Sequence, residues 1–338
     1  MRDFRCVPPV SPPIRLHRMR LHVIISPASH MVHGKWKAPA TGAVDYIIQY
    51  TKFRVADEFR LVMALLLDES CGSELSITDD ESPILTYHHG CELHKPYFHP
   101  IHAPDESIVT DDAPGDRPYH HGLWFAWENV DGVNYCRETD CDESERGRIV
   151  HREFHDKGVN QHAAHFAVVN DWVAPDNSKP IEELCRIWVH RPQHDRQLID
   201  LQFNLLAQSR DVLIGVSHES QGLCFRGAEM EYRKVTNSEY AIGQSEVSGK
   251  AGKWCSLNGV LSDEAIGVAI FDHPSNVGHP ARFFALDDAI GFVSTSFAYP
   301  HTIAAGETLT LSYRIVVYLG DLFTFDLGTC YDEYAKQG

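Results

Sequence analysis

No apolar run in the 338-residue chain is long enough to cross a bilayer. The longest uninterrupted one, Leu61 to Leu67, falls far short of the roughly 20 residues that a spanning helix needs. Positive charge is scarce as well. Lys and Arg number 30 against 47 Asp and Glu, a net charge of −17, so the chain lacks the basic surface that displaces counterions from phosphate. Neither nucleic acid nor a membrane is an expected partner. The nine cysteines include no C-x-x-C pair, which removes the signature of a zinc ribbon or a thioredoxin-type site. Nine is odd, and scattered single thiols suit a reducing compartment, so a cytoplasmic location is expected. Two enzyme motifs are begun and not completed. His218-Glu219 is followed by Ser220, Gln221 and Gly222, so there is no H-E-x-x-H, and Gly215 to Glu219 does not complete G-x-S-x-G. No repeat of fixed period is visible, which argues against a propeller or solenoid.

What is present is a globular composition, 43% hydrophobic and 23% charged. Residues 1–40 differ from the rest. They carry Arg2, Arg5, Arg15, Arg18, Arg20, Lys35 and Lys37 against Asp3 alone, and six prolines. The apolar stretch Leu21 to Ile25 contains His22 and is too short for a signal-peptide core. The expected division is a disordered basic arm (1–40), a lead-in of undecided structure (41–72), one β-domain (73–325), and a tail or short helix (326–338).

Long helical periodicity is rare. Residues 308–318 alternate, with Leu309, Leu311, Tyr313, Ile315 and Val317 opposite Thr308, Thr310, Ser312 and Arg314. In 198–206, Ile199, Leu201, Phe203 and Leu205 oppose Asp200, Gln202 and Asn204. A period of two marks a half-buried strand. Further strands are expected at 84–87, 122–127, 147–154, 162–169, 183–190, 211–217, 265–271, 282–286 and 290–297. Asp131-Gly132, Asn258-Gly259 and Ala305-Gly306 read as turns. Residues 55–67 fit either a helix or a buried strand. Many strands and few helices predict an all-β fold, a large antiparallel β-sandwich with few short helices.

Histidine is the chemical signal. His88, His89, His94, His99, His102, His120 and His121 are seven of the 21 in the chain and lie within one short stretch. They are interleaved with Lys95-Pro96-Tyr97-Phe98 and with Arg117-Pro118-Tyr119, which suits a polar pocket with an aromatic wall. The run Asp116 to Tyr135 (DRPYHHGLWFAWENVDGVNY) resembles the signature of the family labelled PmoA-like, or methane oxygenase PmoA. Lys95 to Pro100, Gly222-Leu223 with Arg226, Gly267 to Asn276 and Ala305-Gly306-Glu307 match the same family in order, over about residues 73–325. Methane oxidation itself is excluded, because the methane oxygenase subunit of that name is a membrane protein. The resemblance implies a mutarotase-like supersandwich, whose concave sheet commonly hosts sugar chemistry. Arg117 stands where that family usually has His, and Cys136 and Arg137 where it often has Trp and Glu.

These residues point to a carbohydrate-active enzyme of epimerase, lyase or hydrolase type acting on a small-molecule or oligosaccharide substrate. His120, His121 and His99 are the candidate acid/base groups, since imidazole titrates near neutral pH, and Glu219 is a candidate base. Arg226 and Arg117 are suited to holding a substrate oxyanion, carboxylate or phosphate. Tyr97 and Trp124 would supply stacking faces. His273 and Asn276, after the apolar strand 265–271, would form a rim. No cofactor is expected. Two alternatives stand beside this reading: a non-catalytic sugar-binding protein, and a metal-dependent enzyme with His99, His120 and His121 as ligands.

Overall fold

A computed structural model describes residues 33–37, 47–55, 58–63 and 65–337, apart from 140, 217–220 and 289. The fold is all-β. Sheet A has nine strands in the spatial order Lys250–Ala251, Arg282–Leu286, Phe292–Ser296, Gln221–Arg226, Leu123–Trp127, Tyr97–Ile101, Ser82–His88, Glu74–Asp79 and Leu65–Asp68. Sheet B has eight, in the order Glu231–Asn237, Trp254–Leu261, Glu264–Asp272, Thr308–Leu319, Arg196–Ala207, Ile181–His190, Ala163–Val173 and Arg148–Val159. The strand pairings within both sheets are antiparallel. The sheets face one another across an aromatic core, in which Phe125 of sheet A stacks on Phe203 of sheet B at 3.7 Å between centroids and Trp127 meets Trp172 at 5.9 Å.

The undecided stretch at 55–67 is strand, as Glu58–Met63 and Leu65–Asp68. The expected arm lies mostly outside the described residues, but its segment His33–Lys37 is a strand paired antiparallel with Ile47–Val55. Asn258-Gly259 is not a turn. Both residues lie inside Trp254–Leu261, where a Cβ on Gly259 would stand 2.6 Å from the Met230 Cβ. Glycine at this position makes room for the neighbouring chain and does not reverse direction.

The alternating strand Arg196–Ala207 turns Ile199, Leu201, Phe203 and Leu205 into the core. On its other face Asp200, Gln202 and Asn204 sit in register with Arg314, Ser312 and Thr310. Arg314 grips Asp200 with two hydrogen bonds, Nε to Oδ1 at 2.6 Å and Nη2 to Oδ2 at 2.7 Å. The terminal helix Leu327–Tyr334 then covers this face, its start capped by Asp326 accepting from the Thr329 amide. Tyr334 lies 4.6 Å from the Arg314 guanidinium, and the Gln337 side-chain carbonyl accepts from Arg314 Nη2 at 2.9 Å.

Arg314 is 3% exposed, so its charge depends on Asp200. Removing one member of a buried pair strands the other. Asp200→Ala should cost about 3–5 kcal/mol in urea unfolding, on the scale of broken buried pairs, whereas Asn204→Ala on the same strand should cost far less.

Candidate functional site

The register of sheet A aligns His88, Tyr97, Trp124, Cys224 and Ser294 as neighbours across five strands. Phe125, next to Trp124, points at sheet B, so this row faces away from it. Residues 102–122 and 128–147 fold over the row, and the chemistry collects between them and the sheet.

Gly122 sets the local geometry. Its φ is +55°, and a Cβ there would overlap the Phe98 carbonyl oxygen. Its carbonyl accepts from the Arg226 amide at 2.7 Å, and its amide donates to the Asp111 carbonyl at 2.8 Å. Pinned in this way, the two histidines before it point in different directions.

His121 lies over the sheet. Its Nδ1 is 2.6 Å from Asp112 Oδ1 and its Nε2 3.0 Å from Glu138 Oε1. Its ring stacks on Tyr97 at 4.6 Å, and Tyr97 stacks in turn on His88 at 4.6 Å, a column of three rings. Burial pulls the His121 pKa down, but the hydrogen bonds to Asp112 and Glu138 outweigh it and leave the pKa above the ordinary 6.5. Ionised Asp112 and Glu138 can only accept, so the geometry suits an imidazolium with both N–H groups donating to carboxylates. Burial alone would raise Glu138; the hydrogen bond from His121 and the charge of Lys95 bring it down to about 2. Asp112 is likewise lowered, the His121 hydrogen bond overriding burial.

Lys95 is only 1% exposed. Its ammonium donates to the carbonyls of Tyr119 at 3.0 Å and Cys136 at 2.9 Å and to Glu138 Oε1 at 2.7 Å. Three donors meet three acceptors, so each proton of this buried ammonium has a partner. It also sits 5.6 Å from the centroid of Trp124.

His120 points the other way, into an aromatic cage of Phe292 at 4.7 Å, Trp124 at 5.0 Å and Tyr119 at 5.0 Å. Neither ring nitrogen has a hydrogen-bond partner among the described residues. Burial, then the charges of Arg226, Arg117 and Lys95, push its pKa down to about 2, so it is a neutral core residue.

His99 is close to the cluster, with its Nδ1 2.9 Å from the Thr110 hydroxyl and its pKa lowered by burial. Arg226 is also there, but already engaged: Nη1 and Nη2 donate to the two oxygens of Asp116 at 3.2 and 3.0 Å. Arg117 donates to the Tyr119 hydroxyl at 3.0 Å.

Four expectations need correction. Trp124 is buried beneath Lys95 and His120 and offers no open face for stacking. Tyr97 has its two stacking contacts with His88 and His121, so it positions imidazole and does not stack on a ligand. Asn276 belongs to another part of the fold. It donates to Asp272 and the Ser312 carbonyl and accepts from the Ser312 amide, each at 2.7 Å, in a closed turn. His273 bonds Ser275 and the Gln337 carbonyl, anchoring the C-terminal end. Glu219 lies outside the described residues. No group of three or more metal-ligating side chains occurs among the described residues, and His120 and His121 diverge, so the three-histidine alternative has no geometric basis.

Lys95, Asp112, Asp116 and Glu138 had no role in the sequence reading. Lys95 and Asp116 are part of the family strings, and Glu138 stands one position beyond Arg137, where the resemblance expects Glu. Asp112 had no signal, because a loop brings it to His121.

The cage around His120 gives a pH test. Its folded-state pKa is far below 6.5, so its neutral form contributes fully above pH 6.5, and that contribution is lost as pH falls and the unfolded chain takes up the proton. Between pH 6.5 and 5 the loss is about 1.6 kcal/mol, the slope rising from half its limit towards about 1.4 kcal/mol per pH unit as the unfolded histidine protonates. His120→Phe should gain that much relative to wild type over this interval in urea unfolding. A parallel loss in both proteins would show that His120 is not held neutral.

Among the described residues no helix is long and apolar enough to cross a membrane. No curated protein matches the sequence. Two solved structures are similar at 8% identity: a heparan sulfate lyase HepC mutant from Pedobacter heparinus, with TM-score 0.34 over 80% of this chain and 35% of that one, and YeaD of Salmonella typhimurium, described as a candidate mutarotase, with TM-score 0.36 over 80% of this chain and 94% of that one. The chain thus spans about a third of the lyase's length. The family match carries no methane-oxygenase label. It runs from residue 74 to 327, most of both sheets and the histidine cluster, and by it the chain belongs to the family of unknown function DUF6807.

Proposed function

We propose that the protein is a carbohydrate-active enzyme of epimerase, lyase or hydrolase type, in which His121 carries the proton. The observation behind this reading is the clamp on His121, an imidazolium held by Asp112 on one nitrogen and Glu138 on the other. Sugar as the substrate class comes from the family resemblance, and the acid/base role from the geometry.

Such a reaction needs an acid and a base within reach of one substrate. Asp112 fixes the Nδ1 side of His121 and thereby the orientation of the ring. A hydroxyl or ring oxygen entering at Nε2 displaces Glu138 and receives the proton. Glu138, paired with Lys95, is then the adjacent base for a second proton. A fixed imidazolium beside a fixed carboxylate is organised before the substrate arrives, so little reorganisation accompanies transfer.

The charge pattern favours an uncharged sugar over a uronate. Lys95 is paired with Glu138, Arg226 with Asp116 and Arg137 with Glu128. An incoming carboxylate would compete with a carboxylate of the chain for each of these cations.

The test is to incubate the protein with neutral aldoses, ketoses and uronic-acid oligomers in deuterated water and follow products and solvent exchange by proton NMR. His121→Ala should lower turnover by about 10²-fold or more, as for lost general acid/base catalysis, with ligand binding retained. Equal turnover in the variant would overturn the assignment. Binding without turnover in the wild type would instead identify a sugar-binding protein.

The pH profile carries a second test. If protonated His121 is the acid, activity persists above pH 6.5 and falls on the alkaline side through the raised His121 pKa. Asp112→Asn removes the carboxylate whose hydrogen bond does most to raise it and leaves Glu138 in place as the base, so the alkaline limb should move to lower pH. An unmoved limb would assign it to another group.

A further inference from the structure

A cavity of about 260 Å³ opens where the loop 320–326 runs into the terminal helix Leu327–Tyr334, beside the start of the strand Trp254–Leu261. It shares no residue with the His121 cluster. Tyr240, Trp254 and Phe323 are among its lining residues. The rings of Tyr240 and Trp254 lie 6.2 Å apart with their planes at 89°, so they make two walls at a right angle. The Tyr240 hydroxyl reaches across to the helix, where it would stand 3.8 Å from a Cβ on Gly328.

Packing does not account for the open rings. Phe323 is 91% exposed and Tyr240 68%. Tyr240 also has a φ of +58°, in the left-handed region where a bulky residue is an outlier. Its amide donates to the Asn237 carbonyl at 2.9 Å in a tight turn that glycine or asparagine would make without strain. A large ring held in a strained turn and left in water gains little from burial, and strain of this kind collects at ligand contacts. Phe325 is different. Tyr318 stacks on it at 4.5 Å and the Arg196 guanidinium lies 5.1 Å from its centroid, so this ring is already covered.

The polar groups of the loop are turned inward. The amides of Phe323 and Thr324 donate to Asp321 Oδ1 at 2.9 and 3.0 Å, and that of Phe325 to the Asp321 carbonyl at 3.0 Å. The Thr324 hydroxyl donates within the same turn. Asp326, also in the lining, is exposed, and its carboxylate is fixed by the Thr329 amide at 2.9 Å and hydroxyl at 2.7 Å. Among the described residues the lining includes this acid and no base. A sugar would seek donors that the loop has committed to itself, and a primary ammonium would need three acceptors close together. A quaternary ammonium has no N–H and needs no hydrogen bond. It is drawn to ring faces and to negative charge, and its methyl groups meet apolar walls. The volume is below the roughly 300–1,000 Å³ of pockets for drug-sized ligands, so the ion is small. We propose that this cavity is a second ligand site, for a small trimethylalkylammonium ion, walled by Tyr240, Trp254 and Phe323 and attracted by the charge of Asp326.

The test uses the whole nitrogen-labelled protein at constant ionic strength. The probes are choline, the neutral alcohol in which carbon replaces the choline nitrogen, betaine, which adds a carboxylate, and methyl glucoside. The indole signal of Trp254 and the amide signals of Phe323 and Gly328 report occupancy. Saturable shifts with choline at millimolar concentration are expected, and none with the other three. Tyr240→Leu and Phe323→Leu keep an apolar side chain at each exposed position and remove the ring. Each should weaken choline about two- to fivefold, the scale of an exposed cation–π contact, and the double variant about tenfold. Asp326→Asn keeps an acceptor for Thr329 and removes the charge, so it should also weaken choline. Equal shifts with the neutral alcohol would mean a plain apolar cleft, and shifts with methyl glucoside in place of choline a sugar platform. Full choline binding in the double variant would place the site elsewhere. Each of these overturns the proposal, as does the absence of a saturable shift with choline. The readout is binding, so it is independent of any activity at His121.

Discussion

The ammonium of Lys95 is the point on which the histidine cluster rests. Its three protons reach two separate parts of the chain: the Tyr119 carbonyl just before the histidine pair, and the Cys136 carbonyl with the Glu138 carboxylate two residues on. Two excursions that cover sheet A are thereby tied to the entrance of the strand Tyr97–Ile101. Neither contains a long regular element that would place His121 or Glu138 by itself. An isolated ammonium at this depth would be costly. With three acceptors each of its protons has a partner; after the hydrogen bond from His121, its charge helps hold the Glu138 pKa down, and Asp112 and Glu138 together raise the His121 pKa. Burial, charge and side-chain position therefore form one dependent sequence, beginning at a residue that touches no solvent.

The sheets were legible in the sequence wherever one face is polar. Arg196–Ala207 and Thr308–Leu319 read as strands because one side carries polar groups and the other is packed in the core. Gln221–Arg226 is buried on both faces, so its sequence has no period to detect. Glu58–Met63 followed by Leu65–Asp68 could not be told from a helix for a similar reason: a continuous apolar run does not declare its period. Asn258-Gly259 misled because the dipeptide usually reverses a chain, whereas here the glycine relieves contact with Met230.

The cluster was legible only in part. The excess of histidine marked the right stretch, but the divergence of His120 and His121 follows from the backbone turn at Gly122. What determines the state of His121 lies 9 and 17 residues away, beyond any local period. Asp112 and Glu138 reach His121 through loops, and Asp116 meets Arg226 across 110 residues. Composition and spacing do not encode such pairs. Asp272 to Asn276 shows the reverse case. It has the polar residues of a site rim, but they close a turn against Ser312 and the C-terminal end.

The internal pairing of the cluster's cations also bears on how a ligand finds the protein. With a formal charge of −17, the molecule has a repulsive outer field for anions, and Lys95, Arg226 and Arg137 are each neutralised by an acid of the same chain at short range. At distances beyond a Debye length, about 8 Å at physiological ionic strength, no positive funnel remains to draw in a polyanion. A neutral molecule feels neither attraction nor repulsion on its way to His121. Its encounter rate is set by diffusion, and salt leaves that rate unchanged.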